Sequence, residues 1–159
     1  MRKKVGFSVL WIAFFVAVKG QNGKVSITNK ILLDTSLYTV IKYGPNEWIP
    51  FGNVKSATLT RKDIENMESL IISAVKKHNL NSKYKNHTLL PLQKYKRQYV
   101  AVMNKNRQKV VWINFFCTAE NKSWKKEIIV VQDGGVCYFN VKVNLTKKAT
   151  FQLYINSDG

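Results

Sequence analysis

The residues whose types and spacing suit a chemical task lie in one basic, aromatic run between positions 79 and 97, NLNSKYKNHTLLPLQKYKR. Lys83, Lys85, Lys94, Lys96 and Arg97 are interleaved there with Tyr84 and Tyr95. Ammonium and guanidinium groups neutralise phosphate or sulfate, while tyrosine rings stack on bases or sugars, so this run is the candidate anion-binding surface. A plainer origin for the same pattern is a strand entry in which each ring packs and each ammonium reaches water. Its one apolar knot is Leu89-Leu90-Pro91-Leu92.

Other chemistry is thin. His78 and His87 have no acidic cluster beside them in the sequence, and each reads as a surface residue. No HExxH, GxSxG, phosphate-binding loop, dinucleotide fingerprint or CxxC occurs. Asp133-Gly134-Gly135 has an oxygen donor that suits a cation, but glycines that supply positive φ in a tight turn explain it equally. Asn86, Asn121 and Asn144 match the Asn-x-Ser/Thr acceptor pattern, a match that arises easily by chance in an Asn-rich, Lys-rich chain. The expectation is a non-enzymatic protein with no catalytic residue, no cofactor and no metal site.

Location is more legible than activity. Met1-Arg-Lys-Lys4 precedes an apolar stretch from Val5 to Val18, shorter than the roughly 20 residues that span a bilayer core. Residues 1–20 therefore read as a signal peptide cleaved after Gly20, which makes the protein secreted or periplasmic. An uncleaved anchor, favoured by Lys19, is the alternative; otherwise membrane contact is confined to export. Four of the 26 basic residues lie in that segment and none of the 9 acidic ones, so the charge falls from +17 to +13 on cleavage. Such an excess draws anionic partners, here an anionic envelope polymer or a lipid surface, although it also serves solubility alone. No specific nucleic-acid motif accompanies it, and the partner stays unassigned.

The elements that position these residues follow from periodicity. Residues 21–30 form a flexible lead, and 31–159 a single domain. Ile31–Leu33 through Leu37–Ile41 are β-branched and aromatic, as in a strand. Prolines and glycines then break the chain between 44 and 52, with Trp48 and Phe51 placed to plug a core edge. Thr60 caps a helix, Asp63 completes the box, and Leu59 with Ile64 forms a staple. Ile64, Met67, Ile71, Ala74 and Val75 recur at helical spacing to about His78, with acids early and bases late as the helix dipole favours. From residue 98 the period is two, and 99–103, 110–117, 128–132, 136–145 and 151–156 read as strands. Cys137, Phe139, Val141, Val143 and Leu145 share an apolar face there, and Tyr138, Asn140, Lys142 and Asn144 a polar one. The fold class is α+β: one amphipathic helix on a four- to five-stranded antiparallel meander sheet.

Two cysteines in an exported chain invite a disulfide. In the meander, however, Cys117 ends one strand and Cys137 begins the strand two places on. Strand spacing and rise then separate the sulfurs by on the order of 20 Å, whereas a bridge needs Cα atoms within about 7 Å. The expectation is no intramolecular disulfide and a buried Cys137 thiol.

Two stretches carry a resemblance: Tyr95–Met103 leading into Lys109–Cys117 (KVVWINFFC), and Trp124–Leu145 (WKKEIIVVQDGGVCYFNVKVNL). They resemble small exported proteins of unknown function typical of the Bacteroidota, with the similarity extending upstream through Trp48 and the helix. That resemblance implies a periplasmic or envelope setting and brings no activity, ligand or catalytic residue. In architecture, a helix followed by a meander is similar to the cystatins. Gln98-Tyr-Val100-Ala-Val102 resembles their QxVxG loop but has Val102 where the glycine belongs and lies in a strand, which argues against protease inhibition. The expected role is thus a binding or structural module of the envelope, ahead of an anionic polymer or lipid head-group binder using the 83–97 run, and ahead of a cryptic hydrolase.

Overall fold

The computed structural model describes residues 34–44, 51–52, 54–118 and 123–159. The expected signal segment, the lead, Ile31–Leu33, Trp48 and Asn121 lie outside the described residues. Six strands and one long helix make up the described chain: β1 (Tyr38–Ile41), β2 (Lys55–Ser56), α1 (Arg61–Asn81), β3 (Lys96–Met103), β4 (Lys109–Phe116), β5 (Tyr138–Asn144) and β6 (Ala149–Ile155).

Helix α1 begins at the expected cap. The Asp63 N–H donates to Thr60 Oγ1 at 3.1 Å, and the Thr60 N–H donates to the Asp63 carboxylate at 2.9 Å, so two otherwise orphaned amides are satisfied. Ile64, Met67, Ile71 and Val75 lie on the face turned to the sheet, where they pack with Tyr99, Val111, Ile113, Phe115, Phe139, Val141 and Val143. Met67 and Ile71 are completely buried, and removing such a side chain from water contributes about 1.5–3 kcal/mol. Phe115 and Phe139 stack across β4 and β5 with centroids 4.2 Å apart, and Tyr95 meets both rings edge-on.

The architecture is α+β as expected, but the sheet is mixed rather than an antiparallel meander. Its order is β1-β3-β4-β5-β6, with β2 also pairing β3. β1 runs parallel to β3, from Tyr38 opposite Arg97 to Ile41 opposite Val100, and the remaining pairs are antiparallel. A parallel pair needs a long crossover, and the chain through β2, α1 and the connector supplies one.

A second departure lies between β4 and β5. Ile128–Gln132 forms no strand. Its segment lies on the sheet face opposite the helix, tied there by buried side chains: the Gln98 amide donates to the Trp124 and Glu127 carbonyls and accepts from the Ile129 N–H, and Asn114 donates to the Ile129 carbonyl. Ile128, Tyr43 and Phe51 cover Ile41, Val100 and Trp112 on that face, so Phe51 plugs the core edge as expected.

Because no strand intervenes, β4 pairs directly with β5 and places Phe116 opposite Tyr138. Cys117 and Cys137 consequently face each other with Cα atoms 5.1 Å apart, joined in a disulfide. The expected free thiols are overturned, since the separation of about 20 Å assumed an extra strand between them.

Candidate functional site

A second stripe runs along α1 beside the face that meets the sheet. Ile72, Val75, Lys76, Asn79 and Leu80 recur at three- and four-residue spacing and form one wall of an open groove of about 450 Å³. Leu89, Leu90, Pro91, Leu92 and Gln93 form the other wall. Val75, Leu89 and Leu92 are buried, whereas Leu80 at the helix end is 76% exposed and Leu90 38%.

Hydrogen bonds hold the second wall in place. Asn79 grips Leu89 from both sides: its Nδ2 donates to the Leu89 carbonyl at 3.0 Å and its Oδ1 accepts from the Leu89 N–H at 2.9 Å. The Leu90 N–H donates to Tyr95 Oη at 3.0 Å, and that hydroxyl donates onward to the Val136 carbonyl at 2.6 Å. Arg97 Nη2 donates to the Leu92 carbonyl at 3.2 Å. A single 3-10 turn over Leu92–Lys94, entered through Pro91, closes this end of the wall. His78 Nε2, as its donor tautomer, reaches the His87 carbonyl at 2.9 Å and ties the intervening chain to the helix.

Beneath the wall lies a buried charge cluster. Arg97 Nη1 donates to Glu68 Oε2 at 2.9 Å, with both side chains almost fully excluded from water. The Tyr99 hydroxyl donates to the other Glu68 oxygen. Burial pushes the Glu68 carboxyl upward against the opposing pull of Arg97 and Tyr99. Burial, reinforced by the neighbouring Glu68, also holds the Tyr99 hydroxyl well above its ordinary range. A buried ion is tolerable when paired and hydrogen-bonded, as these are. This cluster fixes α1 to β3 and, through Arg97, fixes Leu92 in the groove wall.

The structure separates the expected anion-binding residues. Tyr95 and Arg97 are in the core, as buttresses of the groove. Lys96, the next residue along β3, turns to the opposite sheet face, with Nζ 5.2 Å from the Trp124 ring centroid; Lys125 approaches the same ring at 5.4 Å. Lys83, Tyr84, Lys85 and Lys94 remain exposed in the connector. The Tyr84 ring lies 5.6 Å from that of His87. Of the acceptor asparagines, Asn144 is buried with its amide on Gln108, and Asn86 is exposed with its amide on Asp158. Gly134 and Gly135 both have positive φ, in a turn before β5, and among the described residues no group of three or more His, Cys, Asp or Glu is placed to hold a metal.

Ile72, Lys76, Asn79 and Leu80 were not singled out by sequence. Their signal is the 72-76-80 spacing, which continues an apolar stripe past the face that needs covering and sets a lysine inside it. The groove lining is aliphatic apart from Lys76, Asn79 and Gln93, and it contains no carboxylate, imidazole, thiol or hydroxyl. Such a surface suits holding an apolar chain or ring. Comparison with protein-family models, with curated proteins and with solved structures finds no match.

Proposed function

We propose that the protein is an exported, non-enzymatic binding module of the cell envelope, and that its ligand docks in the groove between α1 and Leu89–Gln93. The observation that carries this reading is a preformed apolar groove whose wall is pinned at Leu89, Leu90 and Leu92 by Asn79, Tyr95 and Arg97. Its volume of about 450 Å³ falls within the roughly 300–1,000 Å³ typical of small-molecule sites. A rigid wall also lowers the ordering cost of binding. Export is supported by the cationic, apolar start of the chain and by the Cys117–Cys137 disulfide, a bond that persists in oxidising compartments. Among the described residues no helix is long and apolar enough to cross a membrane.

The test is a neutral apolar fluorophore, N-phenyl-1-naphthylamine, titrated into the folded protein. Saturable enhancement that is lost in the Leu80→Gln, Leu90→Gln double variant is expected, since both side chains are partly exposed and their replacement leaves the core intact. No enhancement, or enhancement unchanged in the variant, contradicts the reading. Cleavage after Gly20, seen in the mass of protein recovered from the periplasm or medium, tests export separately.

A second reading keeps an anionic polymer or head group at Lys83, Lys85 and Lys94. It is favoured by their exposure, with no carboxylate partner among the described residues. Heparin retention that collapses with salt and with neutralisation of these three lysines supports it.

A further inference from the structure

We infer that the groove is specific for a single-chain carboxylate amphiphile, a free fatty acid, with the acyl chain between the walls and the carboxylate at Lys76; this rests on the groove being the ligand site. Lys76 lies one helical turn from Ile72 and from Leu80 and lines the groove between them, an exposed lysine set among aliphatic wall residues. No carboxylate among the described residues pairs with it, in contrast to Lys109, whose Nζ lies 2.8 Å from Asp63, and to Arg61, which meets Glu65 at 3.1 Å.

The other polar side chain of the helix wall, Asn79, spends both its carbonyl and its amide on Leu89, leaving Lys76 as that wall's group for a ligand head. Lys94 stands exposed in the turn that ends the facing wall. The groove thus joins an aliphatic floor to cationic charge with no acidic side chain in its lining, the complement of an aliphatic chain that carries one anionic end.

Calorimetric titration of the folded protein with octanoate, decanoate and dodecanoate below their aggregation concentrations tests this, with the matched primary alcohols and phosphatidylglycerol vesicles as the other arms. Affinity should rise about twofold to fourfold per added methylene, as burial of each CH2 in an open groove requires. The carboxylate should bind about 1.5-fold to fivefold tighter than its alcohol, as an exposed ion pair allows. Lys76→Gln should erase that preference, and added salt should weaken only the carboxylate.

Equal binding of acid and alcohol, no dependence on chain length, or binding to vesicles alone overturns the inference. In the first of these cases a fluorophore that still enters the groove leaves the broader reading standing. Loss of the fluorophore signal as well removes both.

Discussion

Replacing Arg97 with Met removes a guanidinium that is completely buried and leaves the Glu68 carboxylate, itself 2% exposed, without its partner at 2.9 Å. Breaking one side of such a pair destabilises by about 3–5 kcal/mol, because a desolvated charge is stranded. Glu68→Met strands Arg97 in the same way, and in addition leaves the buried Tyr99 hydroxyl without its acceptor. The double variant carries neither charge. What it still lacks is a donor for the Leu92 carbonyl and an acceptor for Tyr99, about 1–3 kcal/mol each, losses that the single variants share and that the packing of two methionines partly offsets. The single losses should therefore exceed the double loss, when summed, by at least about 3 kcal/mol. Urea unfolding of the wild type and the three variants measures this directly. Additivity within about 0.5 kcal/mol refutes the buried pair. So does an Arg97→Met variant that is as stable as the wild type.

Three other outcomes follow from the same geometry. Asn79→Ala leaves both backbone groups of Leu89 without their part-buried partners, so stability should fall by about 1–3 kcal/mol and amide exchange at Leu89 and Leu90 should quicken while that of β4 does not; uniform acceleration contradicts the clamp. The native chain should weigh two hydrogens less than its reduced form, and the Cys117→Ser, Cys137→Ser variant should lose about 3 kcal/mol by chain entropy for a cross-link at a separation of 20; an unchanged mass on reduction contradicts the bridge. Partial burial raises the Asp63 carboxyl, but hydrogen bonds from Lys109 and Thr60 outweigh it and leave the group below its ordinary 3.8. A depressed carboxylate contributes stability above its unfolded value that is lost as pH falls through the folded one, so Asp63→Asn should flatten the fall in melting temperature below about pH 4; an unaltered acid limb contradicts it.

The helix was legible because its signals agree: the Thr60 cap, the Asp63 box, the stripe from Ile64 to Val75 and the charge order along the dipole. So was the alternation in β5, which places Phe139, Val141 and Val143 in the core. Ile128–Gln132 was misread because a β-branched run looks the same whether a strand neighbour or side-chain amides take its backbone hydrogen bonds. Gln98 and Asn114 take those of Ile129 here, and local propensity holds no record of residues 31 and 15 positions away. That single misplacement also hid the disulfide. Arg97 was misread by its company, a run of surface lysines, yet it shares the face of Tyr95 and Tyr99 by strand alternation, and Glu68 sits within the apolar stripe of α1. A charge of each sign at core positions of two facing elements is the pattern that announces such a pair.

The groove as the ligand site is tested most directly by intermolecular nuclear Overhauser contacts between N-phenyl-1-naphthylamine and the methyl groups of the labelled protein. Contacts to Ile72, Leu80 and Leu90, with none to Leu153 of the edge strand β6, are the predicted result. Contacts centred on β6, or none while the probe is bound, would contradict it.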